Sequence, residues 1–97
     1  MISREEIIKI LKEVNDLVRQ RYKADIKGIF GSFARGEESD KSDIDILVEF
    51  REGANLLHFV GLSLFLEEKL SQCVDIVPID VIRKEIREPI LNEVVYL

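Results

Sequence analysis

The stretch Gly31–Phe50, GSFARGEESDKSDIDILVEF, carries the residues of this chain best suited to chemistry. Asp43 and Asp45 are separated by one isoleucine and run into the apolar residues Ile46, Leu47 and Val48. On an extended strand, residues two apart leave the same face, roughly 6–7 Å from each other. Two carboxylates that close repel, and the repulsion grows where water is excluded. A hard divalent cation removes the conflict, because Mg²⁺ takes oxygen ligands from one or two carboxylates together with substrate phosphates. Taken alone, the Asp-x-Asp pair fits a solvated strand end equally well. Asp75 supplies a third acid, isolated among Val74, Ile76 and Val77. A buried acid in an apolar strand is expected to be paired or ligated; the alternative is a strand-end residue facing solvent. If the Asp75 strand lies beside that of Asp43 and Asp45, three carboxylates converge. That is enough for two metal ions, about 3.5–4 Å apart, clamping an in-line phosphoryl displacement.

Upstream of the acids stand Gly31 and Ser32, then Arg35 and Gly36. A strand that ends in glycine and turns into a helix leaves backbone N–H groups suited to a phosphate. Gly31 permits close approach and Ser32 adds a hydroxyl donor. An ordinary turn with Ser32 as a helix cap has the same signature. Arg35 is placed either to reach phosphates or to pair with the acids of the following loop. Gly36 ends the short helix, as glycine commonly does.

These groups need a scaffold. Ser3 and Glu6 fit a capping box, and Ile7, Leu11, Val14 and Leu17 or Val18 then recur at helical spacing, which predicts a helix over residues 4–21. Residues 24–30 (ADIKGIF) read as a strand ending at Gly31, SFARGE as one or two helical turns from Ser32, and ESDKS as a loop. Residues 43–50 alternate: Asp43, Asp45, Leu47 and Glu49 on one side, Ile44, Ile46, Val48 and Phe50 on the other. Residues 55–70 form a helix whose apolar positions exceed one stripe, predicting burial on two sides, either within the fold or against a second copy or a partner. CVDIVPI is a third strand ending near Pro78. Asp80 is placed to cap a short helix through Arg87, and Pro89 to start a last helix carrying Ile90, Leu91, Val94 and Val95. The order α-β-α-β-α-β-α predicts an α+β fold, a small mixed sheet with helices packed on it.

Bulk properties narrow the function. Ninety-seven residues, 46% hydrophobic and 34% charged, fit one globular domain over 1–97. A net charge of −5 argues against a broad nucleic-acid or anionic-membrane surface. No apolar run reaches the roughly 20 residues of a membrane span, and the N-terminal residues do not resemble a signal peptide. A single cysteine, Cys73, excludes an internal disulfide and a cysteine-rich zinc site, and suits a reducing, cytoplasmic setting. His58 is the only histidine; with no second one near it, a helix-surface or interface position is expected rather than metal ligation.

Gly31-Ser32, ten residues, Asp43-Ile44-Asp45 and the later acid Asp75 together resemble the nucleotidyltransferase superfamily that includes DNA polymerase β. The flanking Ala34-Arg35-Gly36 and the run Ser42–Val48 are similar to its small prokaryotic branch, the minimal nucleotidyltransferases, and the resemblance spans the whole chain. It implies that Gly31 and Ser32 hold the terminal phosphates of ATP, that Asp43 and Asp45 bind Mg²⁺, and that Asp75 completes a second metal site and helps activate the acceptor hydroxyl. Arg35 joins the nucleotide-binding set. It further implies an antitoxin beside a HEPN-domain toxin, silencing it by moving AMP from ATP onto a tyrosine. The competing reading is a non-catalytic antitoxin that neutralises its toxin by binding alone. A nucleic-acid-directed transferase is disfavoured by the charge.

Overall fold

Ser3 starts the first helix. In the computed structural model, which describes residues 2–97, the Ser3 hydroxyl accepts from the Glu6 amide at 3.1 Å and helix α1 runs Arg4–Tyr22. Ile7, Leu11 and Val18 lie on its buried stripe. Strand β1 follows over Ala24–Phe30, then the single turn α2 (Ser32–Arg35), strand β2 (Ile44–Phe50), helix α3 (Leu56–Leu70) and strand β3 (Val74–Pro78). A 3₁₀ turn over Ile79–Val81 leads to helix α4 (Lys84–Glu93) and a short strand β4 (Val95–Tyr96).

The sheet order is β3-β2-β1-β4. β1 is antiparallel to β2 and to β4, while β2 and β3 are parallel, joined through α3. The expected α+β class with a small mixed sheet is what the chain adopts, extended by the fourth strand. Alternation along β2 decides which face meets which helices. Ile44, Ile46 and Val48 are fully buried in a cluster with Ile7, Leu11, Leu62 and Leu66 of α1 and α3. Each such side chain contributes about 1.5–3 kcal/mol on leaving water. Leu47, on the other face, anchors a second small cluster with Ile82 and Val94, against which Ile90 and Leu91 of α4 pack. The face predicted to be largely polar therefore carries its own apolar patch, and this patch seats α4 next to the acids.

The C-terminal third departs from expectation. Asp80 caps no helix; it lies in the 3₁₀ turn, and α4 begins at Lys84 without a side-chain cap. Pro89 does not start a helix but sits inside one. It removes the bond that would go to the Glu85 carbonyl; both residues are exposed, so water can take that carbonyl. Val94 and Val95 leave the helix, and Val95 enters β4 beside Ile29. Gly28 makes this possible: a β-carbon there would meet the Val95 carbonyl oxygen and lie 2.8 Å from Val94 Cγ1. Helix α3 buries one stripe, Leu62, Leu66 and Leu70, and exposes Leu56, Leu57, Val60 and Leu64 on the rest of its surface. His58 closes a capping box, its Nδ1 accepting from the Asn55 amide at 3.0 Å while Asn55 Oδ1 accepts from the amides of Leu57 and His58.

The register of β1 against β2 shifts between Ile26 and Gly28. At this point β4 does not reach Ile26, and Asn15 of α1 serves its backbone instead, Oδ1 accepting from the Ile26 amide at 3.0 Å. Asn15→Ala is expected to lower stability by about 1–2 kcal/mol, since a part-buried amide loses its partner. Urea unfolding measures this, with the slope of the transition unchanged.

Candidate active site

Hydrogen bonding along the sheet brings the acids to one end of it. In β3, Asp75 pairs in register with Asp45 of β2. Neighbouring strands lie roughly 5 Å apart, so these two carboxylates leave adjacent positions. On its other side Asp45 pairs with Phe30, the last residue of β1, which sets the Gly31 turn beside it. Asp43 lies just before β2. The entry to β2 is fixed from both sides. Ile44 donates to the Cys73 carbonyl at 3.0 Å, Gln72 donates to the Ser42 carbonyl at 3.1 Å, and the Ser42 hydroxyl accepts from the Ser39 amide at 2.9 Å.

Asp45 is the electrostatic centre of the group. Its carboxyl is pushed up to about 6 from 3.8, first by burial, then by Asp75 and Asp43; Arg35 opposes the rise and Glu93 adds to it. Among the described residues none of the three aspartates has a salt-bridge partner. Of the two alternatives for Asp75, enclosed or facing solvent, the second holds: it is exposed, on an edge strand. No three His, Cys, Asp or Glu side chains among the described residues are already closed to ligating geometry. The donor chemistry nevertheless fits a hard divalent cation: three oxygen-only side chains, one partly buried and reluctant to ionise.

Gly31 approaches Asp45 as no other residue could. Its φ of 75° and ψ of −153° lie in a region essentially reserved for glycine. A β-carbon there would collide with Asp45 Oδ2 and sit 3.0 Å from Cγ. Beyond it α2 is held at both ends: Arg35 N–H donates to the Gly31 carbonyl at 3.1 Å, and Arg4 of α1 donates to the Ala34 carbonyl at 2.9 Å. Phe33 is fully buried beneath the turn. Gly36 closes it at φ 73°.

One expectation changes at this turn: the Gly31 amide is not free; it donates to Glu93 Oε1 at 2.7 Å. Arg35 pairs with an acid of the following loop, Glu37 at 3.4 Å, one of its two expected roles, and also with the same Glu93 oxygen at 2.8 Å. Glu93, at the end of α4, is the residue of this site that sequence reasoning missed. Gly28 was the available signal, since a glycine inside a strand marks a close backbone approach, here that of the segment following Glu93. A concavity of about 370 Å³, lined by Phe50, Phe59 and Pro78, opens at the opposite ends of β2 and β3 from the acids.

Comparisons with known proteins agree on the fold. The family model for the nucleotidyltransferase domain matches residues 7–97. The chain is 40% identical to the protein adenylyltransferase MntA of Thermococcus cleftensis over 97 residues, covering 100% of this chain and 98% of the relative. A solved structure provisionally described as a minimal nucleotidyltransferase superposes with a TM-score of 0.76 at 38% identity, over 93% of this chain and 95% of its own. A second, from a toxin–antitoxin structure determined with AMP-PNP, superposes with a TM-score of 0.68 at 22% identity, over 98% of this chain and 72% of its own.

Proposed function

The chain belongs to the nucleotidyltransferase domain family and is a nucleotidyltransferase; from that premise we propose that it moves AMP from ATP onto a hydroxyl of a protein partner, a tyrosine of a HEPN-type toxin, and so acts as an antitoxin. The observation that carries the reading is the in-register pair Asp45 and Asp75, with Asp43 two residues upstream, beside the glycine-only turn at Gly31.

The residues divide the work by position. Ser32, the Gly31 turn and Arg35 take the β- and γ-phosphates, which puts the α-phosphorus over the aspartates. Asp43, Asp45 and Asp75 are the ligands for divalent metal, two Mg²⁺ ions by the donor count, which would neutralise charge developing on the phosphoryl oxygens. The acceptor oxygen attacks the α-phosphorus in line, the bond from the α-phosphorus to its bridging oxygen breaks, and pyrophosphate leaves. Asp75 would take up the proton of the arriving hydroxyl, a role its exposure at the sheet edge supports. Most of the acceleration comes from holding the reactants in line in a preorganised field. A net-acidic chain can still bind ATP in this arrangement, because its acids meet the nucleotide through a cation.

The uncovered Leu56, Leu57, Val60 and Leu64 on α3 support a partner surface away from the acids. No helix among the described residues is long and apolar enough to cross a membrane. We place the reaction in the cytoplasm, where ATP and the toxin are both at hand.

The test is incubation of the purified chain with Mg²⁺, α-labelled ATP and the cognate toxin. Label is expected on the toxin, and Asp43→Asn is expected to reduce its rate of appearance by about a thousandfold. No label with the wild-type chain overturns the transferase reading. Full neutralisation of the toxin by Asp43→Asn, without label, establishes the binding-only antitoxin in its place.

A further inference from the structure

Glu93 has chemistry that the transfer reaction does not use. Its Oε1 accepts from the Gly31 amide at 2.7 Å and from Arg35 at 2.8 Å, two donors converging on one anionic oxygen. One is a backbone N–H of the glycine turn and the other a guanidinium, the pair of groups that recognises a phosphate oxygen. The carboxylate gains nothing else from this place. It lies in the last turn of α4, where the helix dipole disfavours negative charge. Its side chain is 32% exposed, so it has a route to water. Two donors hold Glu93 at a helix end that disfavours its charge.

We propose that Glu93 is an internal stand-in for a nucleotide phosphate: its carboxylate occupies the Gly31 amide and Arg35 until a phosphate displaces it, and so sets the affinity for nucleotide. The proposal rests on the nucleotide-binding reading of the Gly31–Arg35 turn and adds a positioning residue to it. Without nucleotide, Glu93 keeps the turn formed and Arg35 oriented. When a triphosphate arrives, both donors pass to phosphate oxygens and Glu93 swings toward solvent. Nucleotide binding therefore works against an intramolecular competitor, and removing the competitor's charge tightens binding. A purely structural Glu93 gives the opposite sign, because loss of its two hydrogen bonds would loosen the turn.

Calorimetric titration of the full chain with Mg-ATP at fixed ionic strength separates these outcomes. Glu93→Ala is expected to lower Kd by about tenfold, the scale of one charge-assisted hydrogen bond. Glu93→Gln, which keeps an oxygen for the Gly31 amide and guards against loss of fold, is expected to lower it by about threefold. On an Arg35→Ala background the gain from Glu93→Ala should shrink to about threefold, since one of the two contested donors is gone and the Gly31 amide remains. Thermal unfolding of each variant reports whether the fold is kept. Binding by the wild-type chain with equal or weaker binding by a folded Glu93→Gln overturns the stand-in role and leaves the nucleotide reading intact. No binding by the wild-type chain or either variant overturns both.

Discussion

Asp45→Asn is expected to abolish transfer and, in the same protein, to raise the stability of the metal-free fold. The two effects share one cause. The carboxyl is raised from 3.8 to about 6 by burial and by the neighbouring charges of Asp75 and Asp43. Between these values the folded chain holds a proton that the unfolded chain has released, so stability is highest at the acid end of the window and falls as pH rises through 6. At pH 7 the ionised group is a burden, held to about 1 kcal/mol because Asp45 remains partly open to water. The amide relieves it without changing shape. Removing about 1 kcal/mol of strain from a domain of this size raises Tm by about 4–8 °C. The same amide is a poor ligand for Mg²⁺, and loss of transfer by about a thousandfold is expected. Calorimetry at pH 7 without divalent ions, together with the labelling assay, checks both halves. A variant less stable than wild type would show that Asp45 is held by favourable contacts instead. With Asp45 as the proposed metal ligand, protons and metal would compete for this carboxylate, so the Mg²⁺ needed for half-maximal activity should rise about tenfold for each pH unit below 6. A second acid responds in the opposite sense. The hydrogen bond from Arg19 holds the Asp25 carboxyl below its ordinary value. Its contribution is present above that ordinary value and is lost as pH falls further, so the stability profile of the metal-free chain should peak between the two windows.

Gly31→Ala is the second large effect. The backbone conformation at this position costs a residue with a side chain about 1–3 kcal/mol. The new methyl group also meets Asp45 Oδ2 head-on, so either the turn or the carboxylate must move. A total loss of about 2–4 kcal/mol in stability is expected, with transfer reduced by more than about a hundredfold, since a misplacement of about 1 Å at reacting groups has that effect. The double variant Gly31→Ala with Asp45→Ala separates the contributions. Emptying position 45 removes the collision and leaves the backbone strain. The two changes should therefore be non-additive by about 1 kcal/mol in urea unfolding. Strict additivity would show that Gly31 and Asp45 do not press on each other.

Much of this site could be read before the fold was known, for a physical reason: its pieces are local. Period-two alternation places Asp43 and Asp45, and a glycine followed by a helix-starting serine defines the turn at Gly31. A lone acid in an apolar run marks Asp75, although its exposure follows from β3 lying at the sheet edge, which alternation cannot reveal. Glu93 has only the indirect signal of Gly28, because it reaches Gly31 across 62 residues, with nothing in its own neighbourhood to distinguish it from any glutamate at a helix end. The C-terminal third was misread where a preference acted as a rule. Proline favours the first turn of a helix, yet Pro89 is tolerated within α4 because the carbonyl it frees faces water. Val94 and Val95 fit a helical stripe, but the absent side chain at Gly28 opened room for them beside β1. Leu47 shared a strand face with the aspartates and was grouped with them by alternation; its burial required α4 to be known first.

The position of β3 at the outer margin of the sheet has a consequence for selectivity. Asp75 stands on a ledge open to bulk water, so in the transferase reading the incoming group arrives from outside and meets no enclosing wall on that side. Fidelity then belongs to the encounter: whatever surface settles alongside the ledge selects the hydroxyl that is tagged.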